Sequence, residues 1–351
     1  MPDVQQASAS ARDIREIAQQ TGEKPLWTDA LFSGMPGYMI DFHYPYILVY
    51  KVVTGAVNLL PNTASIIFVV MLSMYILLVV LGCNAWLGAL GAAAYGLGTF
   101  SIVSLEAGHV SKLFALGYGA GLLAGVILAL RGRYWMGAAL TGLFLCMEFG
   151  ANHIQITYYL FMTIGLYVLI EGITLIKAGK GRQLGLGLAT LAVAGALAAG
   201  SFGKRLLVLN QYTKEPIRGK SELTAKTTNP DGRTPSSESK GGLDKDYAFT
   251  YSYGKAETFT LLIPSAYGGG SAGGLTTDSE FYKAMTSRGV DPASAKQMAE
   301  LGAPTYWGDQ PILGGPAYAG AALLFLFVLS MFVIRGPIRW WLLSSAVLMI
   351  M

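Results

Sequence analysis

Long apolar runs separated by short polar breaks fill two stretches of the chain, 64–202 and 318–351. A helix that crosses a bilayer needs roughly 17–25 consecutive apolar residues. Seven segments meet that length: 64–82, 86–105, 113–130, 134–150, 157–176, 184–202 and 318–334. A further run begins at Trp340 and is still apolar at Met351. The stretch 46–60 is apolar with one charge, Lys51, and stops at Pro61. It is too short to span, so it predicts an interfacial helix on the outer surface with Lys51 snorkelling. Residues 1–45 are polar and lack the basic start and apolar centre of a signal peptide. The other long polar stretch is 203–316, with turn formers at Asn229-Pro230-Asp231-Gly232 and Gly268-Gly269-Gly270. Strand-like pieces at 247–253 and 258–263 and one or two short helices within 278–302 are expected there.

The chain therefore divides into a first outer loop with its interfacial helix (1–61), a six-helix transmembrane bundle (62–203), an extracytoplasmic loop domain (204–316) and final transmembrane helices (317–351). The last of these is expected to continue past Met351. An outward-facing polar start and an open apolar end predict a piece of a longer protein, with another transmembrane helix upstream of Met1.

Composition narrows the class. Of 351 residues, 53% are hydrophobic and 13% charged, against about 25% charged in soluble domains. Mean hydropathy is +0.46. These values exclude a water-soluble globular enzyme, and disordered, collagenous and disulfide-framework classes with it. The net charge of +4 gives nucleic acid binding no support. The expected fold is mainly α, a polytopic transmembrane helical bundle with an extracytoplasmic α+β loop region.

The basic residues set the orientation. Arg131 and Arg133, then Lys177, Lys180 and Arg182, then Arg335 and Arg339 fill three short loops that share one face if the spans alternate. The opposite short loops hold Lys112 alone, so the basic face is cytoplasmic by the positive-inside rule. Trp86, Trp135, Trp340 and Trp341 fall at the inner helix ends, as an interfacial belt requires. Cys83 and Cys146 lie toward opposite faces, which argues against a disulfide between them, and no Cys-x-x-Cys pair exists.

The remaining polar groups gather at the outer face, and an ionisable group near a span is a functional hypothesis. Glu106, His109 and Lys112 stand at helical spacing in Glu-Ala-Gly-His-Val-Ser-Lys. Glu148 precedes Asn152-His153-Ile154-Gln155. Arg218 lies in the outer loop, and arginine suits phosphate. Simpler readings exist for each. Glu106 and Lys112 read equally as interface charges, the histidines as hydrogen-bonding groups within the bundle, and the outer cations as contacts to lipid headgroups. No His-Glu-x-x-His pattern occurs, and no metal ligand set is assigned.

Several segments together resemble the YfhO family of bacterial multi-pass membrane proteins, in its Bacteroidetes-type form. They are Pro25-Leu26-Trp27 with Phe32-Ser33-Gly34-Met35-Pro36-Gly37-Tyr38; Gly108-His109; Asn152-His153-Ile154-Gln155-Ile156-Thr157-Tyr158-Tyr159; Ile217-Arg218-Gly219-Lys220-Ser221-Glu222-Leu223; and Tyr306-Trp307-Gly308-Asp309-Gln310-Pro311. That family is similar to GT-C glycosyltransferases. The resemblance implies a GT-C-like bundle that takes a sugar from a polyprenyl-phosphate donor at the outer face of the bacterial cytoplasmic membrane. The acceptor would be a cell-envelope glycopolymer or glycolipid.

It also implies a catalytic base in the first outer loop, matched here by Asp3. Glu106, at the outer end of its run, is the expected second acid. His109, Lys112, His153, Gln155 and Arg218 are the expected substrate-binding residues. The chemistry is economical. A carboxylate takes the proton of the attacking hydroxyl, and the leaving phosphate needs electrostatic stabilisation from Arg, Lys, His or a divalent metal ion. Two other readings stay open: a polytopic transporter or lipid-linked sugar flippase, suggested by the glycine-rich spans, and a non-catalytic scaffold for envelope assembly.

Overall fold

The computed structural model describes residues 2–40, 47–212, 250–270, 274–302, 305–310 and 317–350. It divides into two compact units, 1–202 with 331–347, and 203–330 with 348–351. The protein is mainly α.

In the first unit, α1 (Pro2–Ser10) and α2 (Arg12–Thr21) precede a two-residue antiparallel ladder, β1 (Trp27–Thr28) with β2 (Met35–Pro36). Then follow α3 (Leu48–Val57), α4 (Asn62–Leu81), α5 (Ala85–Gly96), α6 (Thr99–Ala107), α7 (Val110–Leu130), α8 (Tyr134–Ala151), α9 (Ile154–Lys177) and α10 (Gly181–Ser201). Local chemistry sets the ends. Gly82 terminates α4 and Gly108 terminates α6, both left-handed at φ 101° and 93°. The Asn84 side chain caps α5 by accepting from the Leu87 N–H at 2.8 Å.

Helix α7 is the axis of the bundle. Every residue from 117 to 130 is buried, and α4, α8, α9 and α10 pack around it. An all-round apolar helix belongs in such a position. Its glycines make the close approach: a β-carbon on Gly125 would lie 2.6 Å from the Thr141 nitrogen of α8, and one on Gly137 of α8 would lie 2.6 Å from the Ala129 nitrogen of α7. Small residues at helix contacts are how membrane bundles gain dispersion contact. At one end of the bundle, Arg131 Nη1 donates to Val80 O at 2.6 Å and Gln183 Nε2 to Leu130 O at 2.7 Å. The side chains there cap the last carbonyls of α4 and α7.

Among the described residues, four helices are long and apolar enough to cross a membrane: Thr63–Leu81, Val110–Leu130, Ile154–Lys177 and Gly181–Ser201. Helices α5 and α6, bent by 44°, make a fifth if taken as one broken span. Of the seven runs expected to span, these four, with the bent pair as a fifth, are the ones that pass on length and composition. Gly98 interrupts the second predicted run at the α5–α6 break. Helix α8 carries Glu148 in its last turn. Near the C-terminus, α14 (Ala321–Val333) and α15 (Pro337–Ile350) are shorter apolar helices, and α14 is about 20 Å long at 1.5 Å per residue.

The tryptophan expectation also divides. Trp86 and Trp135 are 87% and 91% exposed, whereas Trp341 is 8% exposed. Its indole donates to Thr163 O of α9 at 2.9 Å and meets Tyr167 edge-on at 5.5 Å. It is a packing residue of the bundle, not part of an interfacial belt.

The second unit contains α11 (Gly203–Tyr212), a 3-10 helix at Lys255–Leu261, α12 (Glu280–Ser287) and α13 (Pro292–Leu301). The two helices expected within 278–302 are α12 and α13, capped by Ser279 and by Asp291 with Pro292 behind it. The α+β expectation for this region is not met among the described residues. The strand-like piece 258–263 begins inside the 3-10 helix, because burial of Glu257 and the Glu257 N–H bond to Gly254 O wind it. Part of 247–253 lies outside the described residues. Arg205 is buried, and burial lowers its guanidinium to about 10.

Candidate functional site

At the end of the bundle opposite the Arg131 turn, a cleft of about 740 Å³ opens among α1, α3, α4, α7 and α8. Its wall includes Val4 of α1, Tyr50 and Asn58 of the α3 segment, Ser65 of α4, Tyr118 of α7 and Gly150 of α8. The Tyr50 ring lies directly on Gly150, where a β-carbon would collide with it, and meets Phe202 edge-on at 6.2 Å. Helix α3 is therefore docked by its Tyr50 side, while Leu48, Val49 and Val52 are exposed.

The cationic residues stand beside this cleft. Gly108, Val110 and Ser111 line it, so the chain carrying His109 and Lys112 forms one edge. Gly150 and Ala151 line it too, shortly before His153. Asn152, left-handed at φ 57°, ends α8 and turns the chain into α9. His153 then caps α9, its Nδ1 accepting from the Ile156 N–H at 3.4 Å. Lys112 Nζ donates to His109 Nδ1 at 3.4 Å and lies 6.0 Å from the centre of the Phe100 ring.

In both histidines Nδ1 is an acceptor, which puts the proton of the neutral ring on Nε2. Burial holds the His153 imidazole below the ordinary histidine range, and the charges of Lys112 and His109 push it the same way. The cluster thus offers the Lys112 ammonium and the Nε2–H of a His153 ring held toward its neutral form. The N-termini of α7 and α9, the positive ends of two long helices, converge on the same region. Such an arrangement concentrates positive potential, which favours negative charge nearby.

The other expected residues separate. His109 and Lys112 meet, but Glu106 does not share a helical face with them. Helix α6 ends at Gly108, and His109 is already the residue before α7. Glu106 is exposed in the last turn of α6. Gln155 is exposed, its Nε2 donating to the Tyr159 hydroxyl at 3.2 Å, and does not line the cleft. Asp3 sits in the backbone of α1, next to the wall residue Val4; its side chain lies outside the described part of the structure. Arg218 lies outside the described residues. Among the described residues no group of three or more His, Cys, Asp or Glu could hold a metal ion.

One acid gains weight. Glu148 is fully buried, its Oε1 accepting from Thr157 Oγ1 of α9 at 2.8 Å, while Oε2 has no partner among the described residues. Its neighbour Met147 lines the cleft. The signal in sequence was a carboxylate within an apolar run nine positions before a threonine. Comparison of the chain with models of protein families, with curated proteins and with solved structures finds no match.

Proposed function

We propose that this protein is a membrane glycosyltransferase that binds a polyprenyl-phosphate sugar at the cleft. It would pass the sugar to a cell-envelope glycopolymer or glycolipid at the outer face of a bacterial cytoplasmic membrane. The observation that carries the reading is the convergence of Lys112, His109, His153 and two helix N-termini beside a cleft of about 740 Å³. The family resemblance supplies the chemistry. In this reading Lys112 and the histidine Nε2–H groups hold the donor phosphate and stabilise the charge that grows on it as the sugar leaves. Asp3, carried on the helix that contributes Val4 to the cleft wall, takes the proton of the acceptor hydroxyl. The positively charged turns at the far end face the cytoplasm.

Transfer is tested with the purified chain in lipid nanodiscs, given radiolabelled polyprenyl-phosphate hexoses and envelope glycopolymer. Release of polyprenyl phosphate with label appearing in the polymer is expected. Lys112→Ala should weaken donor binding, and Asp3→Asn should abolish transfer with donor still bound. Movement of intact donor across a proteoliposome bilayer without loss of its sugar would instead identify a carrier.

A further inference from the structure

The second unit holds a preorganised loop that the proposed transfer does not use. Residues 305–310 lie against the 3-10 helix Lys255–Leu261, tied to it by one buried carboxylate. Glu257, 1% exposed, accepts through Oε1 from the Tyr306 hydroxyl at 2.9 Å and from the Asp309 N–H. The Tyr306 hydroxyl accepts in turn from the Gln310 N–H at 3.1 Å. Two glycines let the loop seat this closely: a β-carbon on Gly308 would collide with Glu257 Oε1 and the Tyr306 hydroxyl, and one on Gly254 with Asp309 Oδ2.

What this framework presents is an aromatic face beside an acid. Trp307 is 66% exposed, yet its ring is stacked on Tyr267 with centroids 4.3 Å apart and planes 28° from parallel. The Trp307 N–H also donates to Tyr267 O at 3.1 Å. Asp309, two residues on, is exposed. A fixed, flat indole gives the C–H face of a pyranose a surface to stack on, and a carboxylate accepts from its hydroxyls. Aromatic residues that seat a protein in headgroups keep company with Lys and Arg, which attract anionic lipid. The one charged side chain within 305–310 is an acid, Asp309, which repels phosphate, so the charge favours an uncharged polyol.

We propose that Trp307, backed by Tyr267 and flanked by Asp309, is a binding platform for a neutral glycan chain. The platform is independent of the transferase reading: it requires no chemistry at the cleft. It is tested by isothermal titration of the full chain, in phosphatidylcholine nanodiscs, with neutral cello-, malto-, manno- and chitohexaose. At least one of these is expected to bind. Trp307→Ala should lower that affinity about tenfold, the loss expected of one well-made aromatic contact. Asp309→Asn, which keeps the backbone N–H that Glu257 needs, should lower it several-fold. Failure of all the hexaoses to bind the unaltered protein overturns the proposal, as does equal binding by Trp307→Ala. Quenching of Trp307 fluorescence by brominated lipid, with no glycan binding, would assign the platform to the membrane surface instead.

Discussion

Glu148 in the helical bundle and Glu257 in the second unit are alike in burial, at 0% and 1% exposure. Each has one oxygen hydrogen-bonded and the other without a partner among the described residues. Their neighbours differ. The two donors to Glu257, the Tyr306 hydroxyl and the Asp309 N–H, come from a loop about fifty residues away, and that loop is shaped around it. Glu148 has one donor, Thr157 Oγ1, and that hydroxyl has a second acceptor in His153 O at 3.2 Å. Removing Glu257 strands its partners; removing Glu148 strands none that is described. A buried acid that its surroundings need is explained by the fold. One that they can do without, held in a hydrophobic run at a desolvation cost, is the better candidate for a role in chemistry.

The largest effect should therefore come from Glu257→Ala. Loss of the buried acceptor shared by two donors should cost about 3 kcal/mol, read as faster amide hydrogen exchange over 305–310 and a lower unfolding midpoint. An unchanged midpoint would break the contrast. Glu148→Leu should stay within about 1 kcal/mol of the unaltered protein or be more stable, since an apolar group replaces a buried carboxyl with one oxygen unsatisfied among the described residues. If Glu148 acts at the cleft, the same variant loses transfer while remaining folded. A loss of stability matching that of Glu257→Ala would make Glu148 architectural as well.

A smaller effect separates the cleft from the rest by pH. His153 is held below its unfolded value near 6.5 by burial, then by Lys112. The unfolded chain therefore binds the proton first. The stability contributed by the neutral ring is present above pH 6.5 and is lost as pH falls through the folded-state value. Lys112→Ala should raise the His153 titration point, followed by NMR, without restoring it fully, because burial remains the larger cause. Smallest of all, Arg12→Ala should leave the unfolding midpoint unmoved: the Arg12–Glu16 pair at 2.6 Å is exposed on both sides.

Sequence gave away what depends on local pattern. The apolar runs, the short helices within 278–302 and the pairing of His109 with Lys112 follow from spacing and capping residues. What stayed hidden depends on backbone dihedrals and distant contacts. The left-handed turn at Gly108 parts Glu106 from His109 although their spacing suits one helix. Trp341 looked interfacial because its docking against Thr163 and Tyr167 joins residues far apart in the chain. Glu257 was passed over because its donors lie in the Tyr306–Gln310 segment, whose glycine hinted at close packing without saying against what. The cleft itself was illegible, being bounded by five helices that meet only in the fold.

The contact between α7 and α8 has a consequence for how the chain tolerates change. Where a core is filled by large side chains, a lost methyl leaves a void that neighbours can partly close. Here the fit at Gly125 and Gly137 is made by missing side chains against peptide nitrogens, and peptide cannot withdraw. A saturation library should show an inverted profile along these helices. The smallest residues would be the least replaceable, with even alanine depleted at 125 and 137, while bulky positions on the outer surface of the bundle, such as Leu169 and Val193, accept almost any apolar substitute.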